Sequence, residues 1–209
     1  MNLPESIKTI PSLSEFKLKE KGSQFLAFSK PVNNETEVQS YLTELRKKFY
    51  DATHHCYSFK LVDGSFKYSD DGEPNGTAGI RIYNAQNHFD LTNLVTVVVR
   101  YFGGVKLGVG PLGKAYYEAA LASLSNSKIN ELILYSQFEI YFDFSLSKSV
   151  HHFLNKHKAI IKQNLFDLKP GMIILIQTKY AEPFISELQT AVQNQITINP
   201  LPGFEYLNI

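Results

Sequence analysis

The clearest periodic pattern of the chain lies in "TEVQSYLTELRKKFY", residues 36–50. Apolar residues recur there at helical spacing, and polar and charged residues fill most of the other positions, which predicts an amphipathic helix. Asn33 and Asn34 come just before it, and asparagine is favoured at a helix start because its side chain accepts a backbone hydrogen bond. The apolar stripe consists of Val38, Tyr41, Leu42, Leu45 and Phe49.

Two segments show the pattern of β-structure. From Glu15, "EFKLKEKGSQFLAFSKPV" predicts extended chain that is interrupted at Gly22 and ends at Pro31. The segment "HHCYSFKLVDGSFKYS", residues 54–69, contains two β-rich runs around Asp63 and Gly64. An Asp-Gly pair favours a type I′ turn, because both of its residues tolerate a positive φ. The second segment is therefore predicted to form a β-hairpin.

The run "NLVTVVVRYF", residues 93–102, is continuously apolar and rich in β-branched residues. Such a run is typical of a central strand that is covered on both faces. The glycine-rich "GGVKLGVGPLG" follows, and then "KAYYEAALASL", whose alanine and leucine content favours a helix. The sequence thus predicts a glycine loop that joins a buried strand to a helix.

Beyond about residue 135 the pattern begins again with a strand at residues 137–145 and a helix at 146–157. Two strands joined by the turn "LKPG", residues 168–171, come next, followed by a second helix and a last strand. This order is βαββαβ, which is the split βαβ arrangement of ferredoxin-like domains. We therefore predict an α+β protein with an N-terminal domain of residues 1–134 and a ferredoxin-like domain of residues 135–209.

Composition excludes several classes of protein. The chain has 21 Lys and Arg against 20 Asp and Glu, which gives a net charge of +1. This charge excludes a strongly basic nucleic-acid-binding surface that extends over the whole chain. Its single cysteine, Cys56, cannot form an internal disulfide, and "MNLPESIKTI" resembles neither a signal peptide nor a transit peptide. The longest apolar runs are far shorter than the roughly 20 residues that cross a bilayer. We expect a cytoplasmic protein without a membrane span.

The glycine loop allows three interpretations. Gly108, Gly110 and Gly113 match the GxGxxG spacing with which dinucleotide-binding folds bring backbone N–H groups to a phosphate. The match is weak, because Pro111 removes one donor and "GGVK" lengthens the turn. A glycine turn that lets the helix pack close to the sheet explains the same pattern. The third interpretation is anion binding without a dinucleotide, through the flanking Arg100, Lys106 and Lys114.

The stretch "YSDDGEPNGTAGIRI", which begins at Tyr68, contains the three acids Asp70, Asp71 and Glu73. Because an unpaired buried carboxylate costs several kcal/mol, each acid is expected to face water, a cation or a hydrogen-bond donor. The three could hold Mg²⁺, which commonly binds one or two carboxylates together with substrate phosphates. The simpler interpretation is turn chemistry, in which acidic side chains bond the local backbone and the glycines supply unusual φ values.

Other chemistry-bearing residues give weaker signals. His54 and Cys56 share one face of a strand while His55 points to the other, so only two metal ligands converge, whereas structural zinc takes four. No GxSxG motif is present, and no arrangement suggests covalent catalysis.

Several long motifs together resemble the YigZ and IMPACT family. They are "KGSQFLAF", "DATHHCYSF", "YSDDGEPNGTAG" and "VVVRYFGGVKLGVGPLGKAY", followed by the βαββαβ block, and they cover nearly the whole chain. The resemblance implies an N-terminal domain with a left-handed βαβ unit, like domain IV of elongation factor G. It also implies a C-terminal domain like domain V of the same factor. Both of those domains contact RNA in translation. The eukaryotic IMPACT branch regulates translation initiation by binding the activator of a kinase, and the resemblance implies no catalytic activity.

The resemblance further implies that the acidic stretch and the glycine loop line one shared surface. This chain departs from the family pattern at Pro111, where glycine is usual, at Lys114, where arginine is usual, and at Arg81, where proline is common. Lysine keeps the charge but loses the bidentate fork of arginine. The predicted binding residues are Asp70, Asp71, Glu73, Arg100, Tyr101, Phe102, Gly103, Gly104, Lys106, Gly108 and Lys114.

We interpret the sequence as a cytoplasmic binding and regulatory protein of the translation apparatus, with RNA or the ribosome as the expected partner. Cations of the glycine loop would contact phosphate, Tyr101 and Phe102 would stack on bases, and the acids would orient the cations or a bridging Mg²⁺. An alternative is a phosphate-handling enzyme, because phosphoryl transfer uses a glycine loop and carboxylates. A third is a protein-binding module, as in the IMPACT branch.

Overall fold

The computed structural model describes residues 3–166 and 169–208, and the order of elements in its first part is as follows. A short strand β1 (Ser6–Thr9) precedes β2 (Ser14–Glu20), β3 (Ser23–Pro31), α1 (Glu35–Lys48), β4 (His54–Lys60), β5 (Phe66–Ser69), α2 (Gly79–His88), β6 (Leu94–Tyr101) and α3 (Val109–Ser125). The chain divides into two compact units. The first unit contains residues 7–131, and the second contains residues 4–6 and the chain from 132 onward.

The sheet of the first unit has the strand order β2-β3-β6-β4-β5, so β6 lies at its centre. Side chains of β6 alternate between two cores because successive residues of a strand point to opposite faces. Val95, Val97 and Val99 pack with α1 on one face, and Val98 packs with α2 and α3 on the other. The prediction of a strand covered on both faces is confirmed.

Most elements of this unit lie where the local sequence pattern predicts them. The predicted amphipathic helix is α1, and the side chain of Asn34 accepts a hydrogen bond from the N–H of Glu37 at its start. The predicted hairpin is β4 and β5, paired antiparallel. Its turn is not type I′, because only Gly64 has a positive φ, 91°, and the chain between the strands is longer than two residues. Asp63 instead accepts the N–H of Ser65 in this wider loop.

The helix α2 is an addition to the predicted elements. Its sequence, "GIRIYNAQNH", looks like a short apolar piece, and its cap residue Ala78 has no side chain that could mark the start. The capping oxygen comes from Asp70, whose carboxylate accepts the N–H groups of Ala78 and Gly79 at 2.9 and 2.8 Å. The acidic stretch therefore provides the cap of a helix that packs against one face of the sheet.

The second unit follows the predicted order. Its elements are β7 (Asn130–Phe142), α4 (Ser147–Lys156), β8 (Ile160–Phe166), β9 (Pro170–Gln177), α5 (Ala181–Ala191) and β10 (Ile196–Asn208). The strands lie in the order β10-β7-β9-β8, and every neighbouring pair is antiparallel. This places β9 between the parallel strands β7 and β8, as the split βαβ arrangement requires. The predicted turn between β8 and β9 begins at Leu168, which lies outside the described residues.

The α+β fold class is confirmed, and two details stay predictions. The left-handed crossover that the resemblance implies for the N-terminal domain is one of them. The other is the boundary between residues 134 and 135, since the two compact units divide at residue 131 and β7 begins at Asn130. None of the described helices is both long enough and apolar enough to span a bilayer.

Candidate functional site

At the end of β6, Arg100 and Glu73 form a buried ion pair. The guanidinium Nη1 of Arg100 donates to Oε1 of Glu73 at 2.6 Å, and the two residues are only 5% and 8% exposed. The hydroxyl of Tyr116, on α3, donates to the same carboxylate oxygen at 2.7 Å. Two residues that the sequence predicts to face a ligand therefore face each other.

The guanidinium of Arg100 is also held between aromatic rings. Its central carbon lies 5.4 Å from the ring centre of Phe25 and 5.6 Å from that of Phe102. Such cation–π contacts add to the pairing with Glu73. Nη2 lies 3.4 Å from Oγ of Ser23, while Nε is buried and has no hydrogen-bond partner among the described residues. Arg100 thus connects the central strand, the acidic stretch and the base of the glycine loop.

Cys56 and Tyr116 complete this buried cluster. The thiol of Cys56 donates to the carbonyl of Asp70 at 3.0 Å and lies 3.3 Å from the Tyr116 hydroxyl. Burial raises the pKa of the Cys56 thiol and of the Tyr116 phenol, so both groups are neutral at physiological pH. His54 contributes Nδ1, 2.7 Å from the carbonyl of Asp71, and Nε2, 3.8 Å from Oε1 of Glu73.

The three acids of the stretch "SDDGEP" each contact a different set of protein donors. Asp70 accepts from three backbone N–H groups, those of Gly76, Ala78 and Gly79. Asp71 accepts from the N–H of His55 at 2.6 Å and lies 3.7 Å from Arg46. These contacts correspond to the turn interpretation rather than to a shared Mg²⁺. Within the described residues, no group of three His, Cys, Asp or Glu side chains is placed to hold a metal ion.

The glycine loop itself is exposed. Phe102 is 46% exposed and Val105 54%, and Lys106 is exposed beside them. Positive φ values of 82° and 85° at Gly104 and Gly108 shape this loop. Its first glycine, Gly103, packs so closely on the turn at Gly22 that an added Cβ would overlap backbone atoms there. The loop is thus held at its base and open at its outer side.

Lys114 lies on the exposed side of α3, with Nζ 3.6 Å from Oε1 of Glu118. Together with Glu20 at the end of β2 and Lys21 in the turn after it, these residues line a cavity of about 310 Å³ beside the start of the helix. Because α3 begins at Val109, two glycines of the GxGxxG match lie inside the helix. The dinucleotide interpretation is wrong, since β6 is antiparallel to both of its neighbours and a Rossmann site needs parallel strands.

The structure therefore separates the predicted site residues into two groups. The first group consists of the buried pair Arg100 and Glu73 together with Asp70 and Asp71, which are half-buried and accept backbone N–H groups. The second group lies at the surface and consists of Tyr101, Phe102, Gly103, Gly104, Lys106, Gly108 and Lys114. Sequence reasoning missed the partners Tyr116 and Ser23. Tyr116 reads as part of an apolar helix stripe, and nothing local in the sequence shows that its hydroxyl meets Glu73.

The chain is similar to several known proteins. Residues 21–124 match the family model described as Impact N-terminal domain. The "IMPACT family member YvyE" of Bacillus subtilis is 27% identical over 188 residues, which cover 89% of this chain and 86% of that protein. The "IMPACT family member YigZ" of Escherichia coli is 32% identical over 123 residues, covering 56% of this chain and 60% of that protein. A solved structure described as "Crystal structure of an hypothetical protein" matches with a TM-score of 0.69 and 20% identity, over 96% of this chain and 99% of that one.

Proposed function

This chain belongs to the IMPACT family, and from that premise we propose that it is a cytoplasmic, non-enzymatic binding protein of the translation apparatus. Its proposed partner is RNA, either free or in the ribosome. The proposed contact surface consists of the glycine loop, residues 102–108, and the exposed side of α3 around Lys114. The likeness of both domains to those of elongation factor G, implied by the resemblance, supports this class of partner.

The observation that supports this surface most directly is the difference in exposure between its cations. Arg100 is buried against Glu73, whereas the side chains of Lys106 and Lys114 are exposed. Exposed lysines provide point charges for phosphate oxygens, which fix the position of a nucleic acid without reading its sequence. Phe102 beside them offers an aromatic face on which a base can stack. In this proposal Arg100 supports the loop from beneath and does not contact phosphate.

The alternative of a phosphate-handling enzyme gains no support from the acidic stretch. Phosphoryl transfer needs carboxylates that are free to hold a metal ion. Here the carboxylate of Asp70 accepts three backbone N–H groups, and that of Glu73 accepts from Arg100 and Tyr116. Releasing either acid to a metal ion would leave the buried donors unpaired, at a cost of about 1–3 kcal/mol each.

The test is a double variant, Lys106→Ala with Lys114→Ala. We expect its affinity for a total small-RNA pool and for ribosomes to fall. The slope of log K against log salt should become shallower by about 1.4, because each phosphate contact contributes about 0.7 for a single strand. Filter retention and cosedimentation across a salt series measure both quantities.

The matched control is Lys67→Ala with Lys128→Ala, which removes the same charge from exposed positions outside the proposed surface. We expect the control to bind RNA as the unchanged protein does. Equal losses of RNA affinity in the two double variants would show that only net charge matters and would contradict the proposed surface. RNA binding that is absent even at low salt would overturn the RNA proposal in favour of a protein partner.

A further inference from the structure

Beside the glycine loop lies a segment that contains none of the predicted binding residues, residues 49–53, which joins α1 to β4. Three hydrogen bonds fix it to the end of β6. The N–H of Thr53 donates to the carbonyl of Arg100 at 2.9 Å, and its Oγ1 accepts the N–H of Phe102 at 3.1 Å. The hydroxyl of Tyr101 donates to Asp51 at 2.8 Å. The segment and the start of the glycine loop therefore form one continuous surface.

This surface carries aromatic rings that the protein does not bury. Tyr50 is 84% exposed, and within the described residues its side chain makes no hydrogen bond and stacks on no ring. Tyr101 is partly exposed, and its hydroxyl bond to Asp51 restrains the ring. Phe102 is 46% exposed and rests on the guanidinium of Arg100. Exposed large rings of this kind commonly mark binding sites.

Two segments next to the rings in sequence carry cations. The last turn of α1 consists of Arg46, Lys47 and Lys48, and the glycine loop contributes Lys106. Arg46 faces Asp71, and Lys48 lies over the rings of Phe28 and Phe49. Lys47 and Lys106 form no ion pair in the described part of the chain, so their charges are available to an anionic partner. Exposed aromatic faces together with available cations match a chain of bases joined by phosphates.

We infer that the surface formed by Tyr50, Tyr101 and Phe102 binds unpaired bases of single-stranded RNA, whose phosphates contact Lys47 and Lys106. This inference rests on the proposed function and adds to it the strandedness of the RNA and the part of the surface at the end of α1. Bases of a duplex are stacked on one another, so their faces are closed to an aromatic side chain. Bases in single strands and loops are open to stacking, which is largely independent of sequence.

The test compares one unstructured RNA of about 12 nucleotides, within the usual site sizes of single-strand binders, with the same strand annealed to its complement. Fluorescence anisotropy measures Kd for the unchanged protein and for Tyr50→Ala, Tyr50→Phe and Lys47→Ala. We expect the single strand to bind more tightly than the duplex. Tyr50→Ala should raise Kd for the single strand about fivefold to a hundredfold, and Tyr50→Phe should have little effect because it keeps the ring.

Tyr180→Ala is the matched control, because Tyr180 is a 50% exposed tyrosine of the second unit and should leave Kd unchanged. Thermal melting confirms that each variant is folded. Single-strand binding that Tyr50→Ala does not weaken, or equal binding of the duplex, would overturn this inference and leave the proposed function standing. Failure of the unchanged protein to bind either RNA would overturn both.

Discussion

Arg100 and Glu73 are charged side chains that the fold buries against each other rather than presents to solvent. Moving a charge out of water is costly, and the cost is offset here by the 2.6 Å ion pair, the Tyr116 hydroxyl and two aromatic rings. The same contacts hold three segments together, since Arg100 lies on β6, Glu73 in the acidic stretch and Tyr116 on α3. The buried cluster of Arg100, Glu73 and Tyr116 therefore supports the exposed glycine loop.

Replacing one partner of the Arg100–Glu73 pair should therefore lower the free energy of unfolding more than replacing both. We expect Arg100→Ala to lower the free energy of unfolding by about 3–5 kcal/mol, because it leaves the Glu73 charge buried without a partner. Arg100→Met combined with Glu73→Leu should recover most of that loss, because it removes both charges at similar volume. Urea unfolding measures each value, with Lys114→Ala as the exposed control that should change stability by less than about 0.5 kcal/mol. A loss below about 1 kcal/mol for Arg100→Ala, which is the range of surface pairs, would contradict this account.

At the scale of elements, α2 depends on a residue distant from it in the sequence. Asp70 lies eight residues before Ala78, yet its carboxylate accepts the N–H groups at the start of the helix. Two glycines, a proline and three positive φ values between them bring the chain back to Asp70: φ is 44° at Asp71, 88° at Gly72 and 75° at Gly76. The acidic stretch is therefore the structural start of α2.

Loss of this cap has a measurable cost. We expect Asp70→Ala to lower the free energy of unfolding by about 2 kcal/mol or more, because three N–H groups lose a charged acceptor. Asp70→Asn should cost less, because it keeps one acceptor oxygen. The matched control is Asp63→Ala, which removes a single bond, to the N–H of Ser65, in an exposed turn. Urea unfolding compares the three variants, and equal losses at positions 70 and 63 would refute the capping role.

At the scale of the whole molecule, the two units have separate hydrophobic cores. One core of the first unit lies between the sheet and α2 and α3, and another lies between the sheet and α1. The second unit has its own core, formed by β7, β9, α4 and α5. Separate cores generally allow separate folding. We therefore propose that the chain contains two domains that unfold independently, divided near residues 131–134.

The single cysteine gives a direct test of this proposal. Cys56 is fully buried in the first unit, and burial raises the pKa of its thiol, so a thiol reagent should react with it only when that unit opens. In a urea series, labelling of Cys56 should show one transition, while far-UV circular dichroism should show that transition and a second one. Coincident single transitions by both probes would indicate one cooperative unit and would contradict the proposal. Labelling in the fully unfolded chain is the control for reagent activity.

How much of the fold and of the site the sequence can predict depends on how far apart along the chain the interacting residues lie. The helix α1, the central strand β6 and the βαββαβ block are encoded in local periodicity, because one buried face imposes a regular spacing. The helix α2 was missed because its capping residue, Asp70, is not its neighbour in sequence. The glycines located the exposed loop in the sequence. They did not show that Arg100 is buried beneath this loop, because a buried arginine and an exposed one look alike in sequence.

By itself, the sequence determined the order of most elements, the α+β class and the family. These depend on spacing within short segments and on long motifs. Only the tertiary structure decided which charges are internal. Arg100 and Glu73 lie 27 residues apart, and they meet because α2 and α3 cover the same face of β6. The segment of residues 49–53 meets the start of the glycine loop in the same way, since the pairing of β4 with β6 brings Asp51 to the hydroxyl of Tyr101. Contacts between distant segments depend on how the elements pack, and no local pattern records them.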